Sequence, residues 1–179
     1  MDRADVDPHR GAPARTATIR QATTPEDCAL ARALVVEYAR WLDVDLCFQG
    51  FDHELAGLPG AYVPPRGRLK LAGPPGDAFA CAALRPLAAD MGEVKRLYVQ
   101  PRVRGQGWGR RLAEAIIADA RAIGYRELRL DTLLQMDEAR ALYASLGFRA
   151  IAPYYDNPLP GVAYMALTLQ GPRGDPVRG

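Results

Sequence analysis

A chain of 179 residues, 49% hydrophobic and 25% charged, has the size and composition of one soluble domain able to bury a real core. Its net charge of +2 is too small to argue for nucleic acid or an anionic membrane as partner, and no apolar run is long enough to span a bilayer. Cys28, Cys47 and Cys81 are odd in number and lack CxxC spacing, which indicates neither a disulfide framework nor a zinc site.

Residues 1–15 are rich in Asp, Arg, Pro and Gly. They read as a disordered leader without the apolar core of a signal peptide, so a cytoplasmic location is expected. A first strand is expected over Ala17–Ala22. Thr24 as N-cap, Pro25 at the first helical position and the acids Glu26 and Asp27 then open a helix. Leu30, Leu34, Val35, Tyr38, Trp41 and Leu42 follow at helical spacing, with Tyr38 and Trp41 read as core. Asp43–Gly50 reads as a loop and Phe51–Leu58 as a short helix, on which His53 is solvated. The prolines of 59–65 exclude regular structure there. Leu69–Ala72 and Ala78–Leu84 flank the turn Gly73-Pro74-Pro75-Gly76-Asp77 and predict a hairpin, with Cys81 a buried filler. A strand over Gly92–Tyr98 precedes a Gly-rich turn and a helix bearing Leu112, Ile116, Ala120 and Ile123 on one face, up to Gly124. A strand over Glu127–Thr132, a helix over Asp137–Ser145 stopped by Gly147, and strands over Phe148–Ile151 and Val162–Leu169 complete the domain. The last two flank a turn-rich stretch at 153–161, and the end of the chain from Gln170 reads as a loose tail. The order is β-α-α-β-β-β-α-β-α-β-β: a mixed α/β sheet with helices on its faces, in a single domain over residues 16–170 between the leader and a flexible tail at 171–179.

Gly105, Gly107 and Gly109 alternate between the central strand and the long helix. Without a Cβ, such a backbone can come close to a ligand. The first turn of the helix adds N–H groups without partners and about half a positive charge. Together they make a cradle for a phosphate or pyrophosphate, with Arg104, Arg110 and Arg111 at its edge. Trp108 either packs on the bound group or covers the core.

The loop Arg104-Gly105-Gln106-Gly107-Trp108-Gly109 resembles the R/Q-x-x-G-x-G/A loop of the Gcn5-related N-acetyltransferases, the GNAT family. Ala139-Arg140-Ala141-Leu142-Tyr143-Ala144-Ser145-Leu146-Gly147-Phe148 resembles their second signature, A-x-x-L-Y-x-x-x-G-F. The resemblance implies a GNAT-type acyl-CoA N-acyltransferase fold: a mixed, mostly antiparallel sheet with helices on both faces, splayed beside its central strand to take the pantetheine arm of acetyl-CoA. It implies that the backbone of Leu97, Tyr98 and Val99 binds the acetyl carbonyl and pantetheine. The amides of Arg104, Gly105, Gln106, Gly107, Trp108, Gly109 and Arg110 would hold the pyrophosphate. Many relatives carry Asn three residues before the Ala of the second signature. Here that residue is Met136, so its hydrogen bond is absent or comes from Gln135 or Asp137. A homodimer is common in relatives, and no metal is implied.

Acetyl transfer to an amine requires loss of the proton from an ammonium of pKa about 10.4, the work of a general base. Glu93 occupies a central-strand position where several relatives have their catalytic carboxylate; the other reading pairs it with Lys95 or Arg96. Tyr143 matches the family's tyrosine that protonates or hydrogen-bonds the leaving thiolate; the other reading is aromatic packing. Backbone N–H groups of the strand would meet the oxyanion. By the same likeness, residues 42–68 and 153–161 form the acceptor mouth. There Asp43, Asp45, Asp52, Glu54 and Asp156 offer negative charge, Arg66 and Arg68 could hold a carboxylate, and Tyr154 and Tyr155 could wall the site. The acceptor is then a primary amine, amino-acid-like or peptidyl, attacking directly in a ternary complex.

Two rival readings remain. A dinucleotide-binding oxidoreductase would use Asp131, 22 residues beyond Gly109, to grip ribose. However, the glycines follow GxGxG rather than GxGxxG, and the preceding strand carries Glu93, Lys95 and Arg96 rather than an apolar run. A non-catalytic acyl-CoA sensor would keep the cradle and leave Glu93 and Tyr143 idle.

Overall fold

The computed structural model describes residues 16–42 and 50–169. The expected leader, the loop at 43–49 with Asp43 and Asp45, and the tail lie outside the described residues. The elements are β1 (Thr18–Gln21), α1 (Pro25–Leu42), α2 (Phe51–Ala56), β2 (Arg68–Gly73), β3 (Ala80–Ala88), β4 (Met91–Val99), α3 (Trp108–Ile123), β5 (Glu127–Leu133), α4 (Asp137–Ser145), β6 (Arg149–Ile151) and β7 (Val162–Thr168). This is the order expected from the sequence. Single 3-10 turns lie at Gly60–Tyr62 and Pro101–Val103.

Local chemistry sets the ends. The Asp27 N–H donates to Thr24 Oγ1 at 3.1 Å, capping α1. Gly124 closes α3 at φ 98, a left-handed geometry that favours glycine. Most strand ends shift by a residue or two from expectation, and two boundary shifts have a plain local cause. Helix α2 stops at Ala56 rather than Leu58, because Gly57 and the following Pro59 end it. Strand β3 runs on through Pro86 to Ala88, where an irregularity in its pairing with β4 accommodates the proline.

The seven strands form one sheet in the order β1-β2-β3-β4-β5-β7-β6. Only the β4–β5 ladder is parallel. Alternate residues of the strands feed two cores. On one face Leu34 and Val35 of α1 pack with Leu69, Leu71, Ala83 and Tyr98. On the other, Leu112 and Ile116 of α3 pack with Leu84, Val94, Leu128 and Leu130. Cys81 is fully buried as expected, and burial pushes its thiol up to about 12.

Two departures from regularity in β4 create the site. First, β4 pairs with β5 only through Met91, Gly92 and Glu93; beyond Glu93 the strands part. Second, the β3–β4 register slips between Cys81↔Tyr98 and Ala83↔Lys95, so β4 carries one extra residue, a β-bulge. Arg96, within it, has φ 56, an uncommon geometry for a residue with a side chain. The Cys81 Sγ–H donates to the Arg96 carbonyl at 3.3 Å. Glu54 accepts two hydrogen bonds from the Arg96 guanidinium, at 2.9 and 2.8 Å. The bulge is thus held from both sides.

No helix among the described residues is long and apolar enough to cross a membrane. Among the same residues no group of three or more His, Cys, Asp or Glu could hold a metal ion.

Candidate active site

A cleft of about 990 Å³ opens between the end of β4, the Gly-rich turn and α4. Leu97, Tyr98 and Val99 form one wall, Gly105, Gly107, Trp108, Gly109 and Arg110 the floor, and α4 residues from Asp137 to Leu142 the other wall. Of the residues expected to hold a cofactor, only Gln106 is absent from this lining. The main-chain N–H groups from Gly105 to Arg110 have no hydrogen-bond partner among the described residues. They are six consecutive donors at the mouth of α3, so the backbone here has unmet demand for an acceptor. Arg104 differs from the expectation for it. Its amide donates to Pro101 O at 3.2 Å, its Nε donates to Val99 O at 3.0 Å, and its guanidinium lies 4.4 Å from the Trp41 ring centroid.

Trp41 is 47% exposed, contrary to its reading as core. It continues the stripe of Leu34 and Tyr38, but it lies where α1 reaches the cleft, and it lines that cleft with Tyr38. Trp108 packs edge-on to Phe79 at 5.0 Å and also lines the cleft. Met136, the residue in place of the family Asn, lines the cleft as well, and its sulfur accepts from the Thr132 hydroxyl at 3.6 Å.

A smaller cavity of about 70 Å³ adjoins the cleft, sharing Tyr38, Leu97, Met136 and Ala139 with it. Tyr143, Lys95, Asp131, Thr132 and Asn157 bring polar groups to it. Tyr143 is buried, its ring edge-on to Phe148 at 5.6 Å. Burial, then the Tyr38 and Asp131 charges, raise its hydroxyl well above the usual phenol range.

Glu93 does not line this cavity. It is 1% exposed. One carboxylate oxygen accepts from Arg85 Nε at 2.6 Å and the other from the Tyr154 hydroxyl at 2.7 Å. Lys95 Nζ lies 3.8 Å away and donates instead to Asp131 at 2.9 Å. Burial, then the Glu93 carboxylate, hold the Tyr154 phenol protonated far above its ordinary value. Tyr154, Tyr155 and Tyr164 meet edge-to-face with centroids 5.3–5.6 Å apart, so the stretch at 153–161 closes against the acid–base cluster. Neither Arg66 nor Arg68 reaches it. Arg66 donates to the carbonyls of Ala88 and Ala89 and lies over Tyr125. Arg68 donates to Pro65 and Gly67 carbonyls and faces Asp119 on α3. His53 is exposed, as expected.

The Glu54–Arg96 pair carries a stability prediction. Burial pushes the Glu54 carboxyl up, but hydrogen bonds and charge from Arg96 outweigh it and hold it below its ordinary value. A lowered carboxyl contributes stability above the unfolded value of about 4.3 and loses it as pH falls through the folded value. Glu54→Gln should therefore destabilise by about 3 kcal/mol at pH 7, because it leaves a buried guanidinium uncompensated. Denaturant melts should show that gap closing below about pH 4.

A model of the acetyltransferase (GNAT) family matches residues 36–148. The chain belongs to the GNAT acetyltransferase family. Over 147 residues this GNAT chain is 40% identical to an uncharacterized N-acetyltransferase of Schizosaccharomyces pombe, covering 81% of this chain and 90% of that protein. A GNAT acetyltransferase from Staphylococcus aureus shares the fold at a TM-score of 0.72 and 17% identity, over 87% of this chain and all of that one. A Salmonella typhimurium protein solved with its cofactor acetyl-CoA does so at 0.65 and 21%, over 88% and 96% of the two chains. The GNAT reading removes the dinucleotide-binding alternative and makes the chain an acyltransferase by kinship.

Proposed function

We propose that this GNAT enzyme transfers the acetyl group of acetyl-CoA to a primary amine that attacks directly within a ternary complex. The observation that carries this is the row of six N–H groups from Gly105 to Arg110 without a partner among the described residues, floored into a cleft that leads to Tyr143. The residues fit the group: main-chain donors and a helix N-terminus suit a diphosphate, and the ideal Cβ of Gly105 or Gly107 would enter open space. When bound, acetyl-CoA supplies an activated thioester. The chain supplies the rest. The β4 backbone beyond the β5 ladder offers donors to a carbonyl oxygen, and Tyr143 offers a hydroxyl to a leaving sulfur. Among the described residues Asp131 is the carboxylate that opens on the inner cavity, so we assign it the proton of the incoming ammonium. Glu93, expected in that role, is read instead as a positioning residue that fixes Tyr154 through one oxygen and Arg85 through the other.

Both tryptophans of the chain line the cleft, so their fluorescence reports its filling. Titration with acetyl-CoA should quench or shift the emission saturably, while NAD(H) should not. A screen for thiol release over amines and peptides should then find turnover. Saturable binding without thiol release from any amine would favour the sensor reading and defeat this one.

A further inference from the structure

We propose that the acceptor is a free α-amino acid, held with its carboxylate on the Lys95 ammonium and its amine on Asp131; this rests on the acetyltransferase reading above. Lys95 is 8% exposed and lines the inner cavity. An ammonium has three donors, and Lys95 spends one, on Asp131 at 2.9 Å. Its next nearest carboxylate, Glu93, is at 3.8 Å and already accepts from Arg85 and Tyr154. The Tyr155 ring lies 6.0 Å off, and that tyrosine also hydrogen-bonds Asp131. The other cations nearby are committed: Arg85 to Glu93 and Arg96 to Glu54. Lys95 is thus a nearly buried cation on the cavity wall, paired with Asp131 and Glu93, with two of its three donors outside any short hydrogen bond among the described residues and available to a further anion.

The same geometry disfavours a bare amine. An alkylammonium entering at Asp131 would put two cations on one carboxylate in a site of low solvent access. An acceptor bringing its own carboxylate restores alternation of charge: ligand amine on Asp131, ligand carboxylate on Lys95. The amine nitrogen and nearer carboxylate oxygen of an α-amino acid, one and two bonds from the α-carbon, are about 2.7 Å apart, close to the 2.9 Å between Lys95 and Asp131. Val94, Leu133, Leu159 and Val162 add apolar surface to this cavity of about 70 Å³, which favours a compact apolar side chain. A peptide N-terminus lacks the adjacent carboxylate and forfeits the Lys95 contact.

Thiol release by the full chain tests this, with L-alanine, L-valine and L-methionine each set against its own carboxamide. The carboxamide amine is the less basic, so amine deprotonation favours the amide, and a preference for the acid has to come from the carboxylate. We expect kcat/KM at least tenfold higher for the acids. Lys95→Met should collapse that ratio by raising KM for the acids well beyond any change it causes for the amides through Asp131, and Lys95→Arg should keep part of the preference. An unchanged tryptophan response to acetyl-CoA shows that each variant is folded. Amides reacting as well as acids, or Lys95→Met keeping the preference, overturns the proposal, as does turnover confined to peptides or polyamines. If no amine of any kind releases thiol, the acetyltransferase reading itself has failed.

Discussion

Replacing Tyr143 with phenylalanine should lower kcat by about 10²–10³-fold while leaving acetyl-CoA affinity and thermal stability where they are. The ring does the packing, edge-on to Phe148 at 5.6 Å, and phenylalanine keeps it. The hydroxyl makes no hydrogen bond with another described residue, so its removal orphans no partner and carries little stability cost. What it offers is a proton donor at the cavity shared with Asp131. Burial holds that phenol protonated far above neutrality, whereas a coenzyme thiol resembles a cysteine thiol of about 8.5. A donor so much weaker as an acid than its partner gives a hydrogen bond to the departing thiolate rather than surrendering its proton outright. The loss is therefore that of one charge-directed hydrogen bond present as the sulfur departs. It should fall on kcat, with the fluorescence titration unchanged. An unaltered kcat would remove Tyr143 from the chemistry and return it to the core.

The fold was legible because its signals are local. Thr24 and Pro25 announce α1, Gly124 ends α3, and alternating glycines between strand and helix mark the cradle. The period-2 pattern of Gly92-Glu93-Val94-Lys95 already put Glu93 and Lys95 on one face of β4. What no local pattern carried was partnership across the sheet. Glu93 meets Tyr154 from 61 residues away, Arg96 meets Glu54 from 42, and Lys95 meets Asp131 from 36. Those contacts bury Glu93 between Arg85 and Tyr154, while Asp131 lines the cavity. In the sequence, Asp131 stands out only as the ribose-gripping acid of the dinucleotide-binding reading, because nothing local marks a polar member of an alternating strand as a base. The bulge was equally hidden, since its left-handed residue is an arginine rather than a glycine. Trp41 was misread because helical periodicity gives the face of a helix but not where the sheet beneath it opens.

The cradle makes the sharper prediction. Gly107→Val should raise the dissociation constant for acetyl-CoA on the order of 100-fold, the loss of about two charge-assisted hydrogen bonds, and should leave a folded protein. Gly107 has φ 81 and caps α3, a conformation that costs a β-branched residue about 1–2 kcal/mol. Nothing lies within 4 Å of the Cβ it would gain. The substitution thus meets no wall in the protein, and its bulk stands in the space above the Gly105–Arg110 amides. Gly109 provides the contrast. Its Cβ would meet Leu142 Cδ2 at 3.6 Å and Val99 Cγ2 at 3.8 Å, ordinary contact, and it sits in the first turn of α3, where alanine is favoured over glycine by at most about 1 kcal/mol. Gly109→Ala should therefore raise the melting temperature slightly and shift affinity little. The two variants lie two residues apart and differ in whether the added carbon points at empty space or at the wall. If Gly107→Val binds acetyl-CoA as tightly as the parent, the diphosphate does not rest on these amides, and the orientation assigned to the thioester beside β4 falls with it.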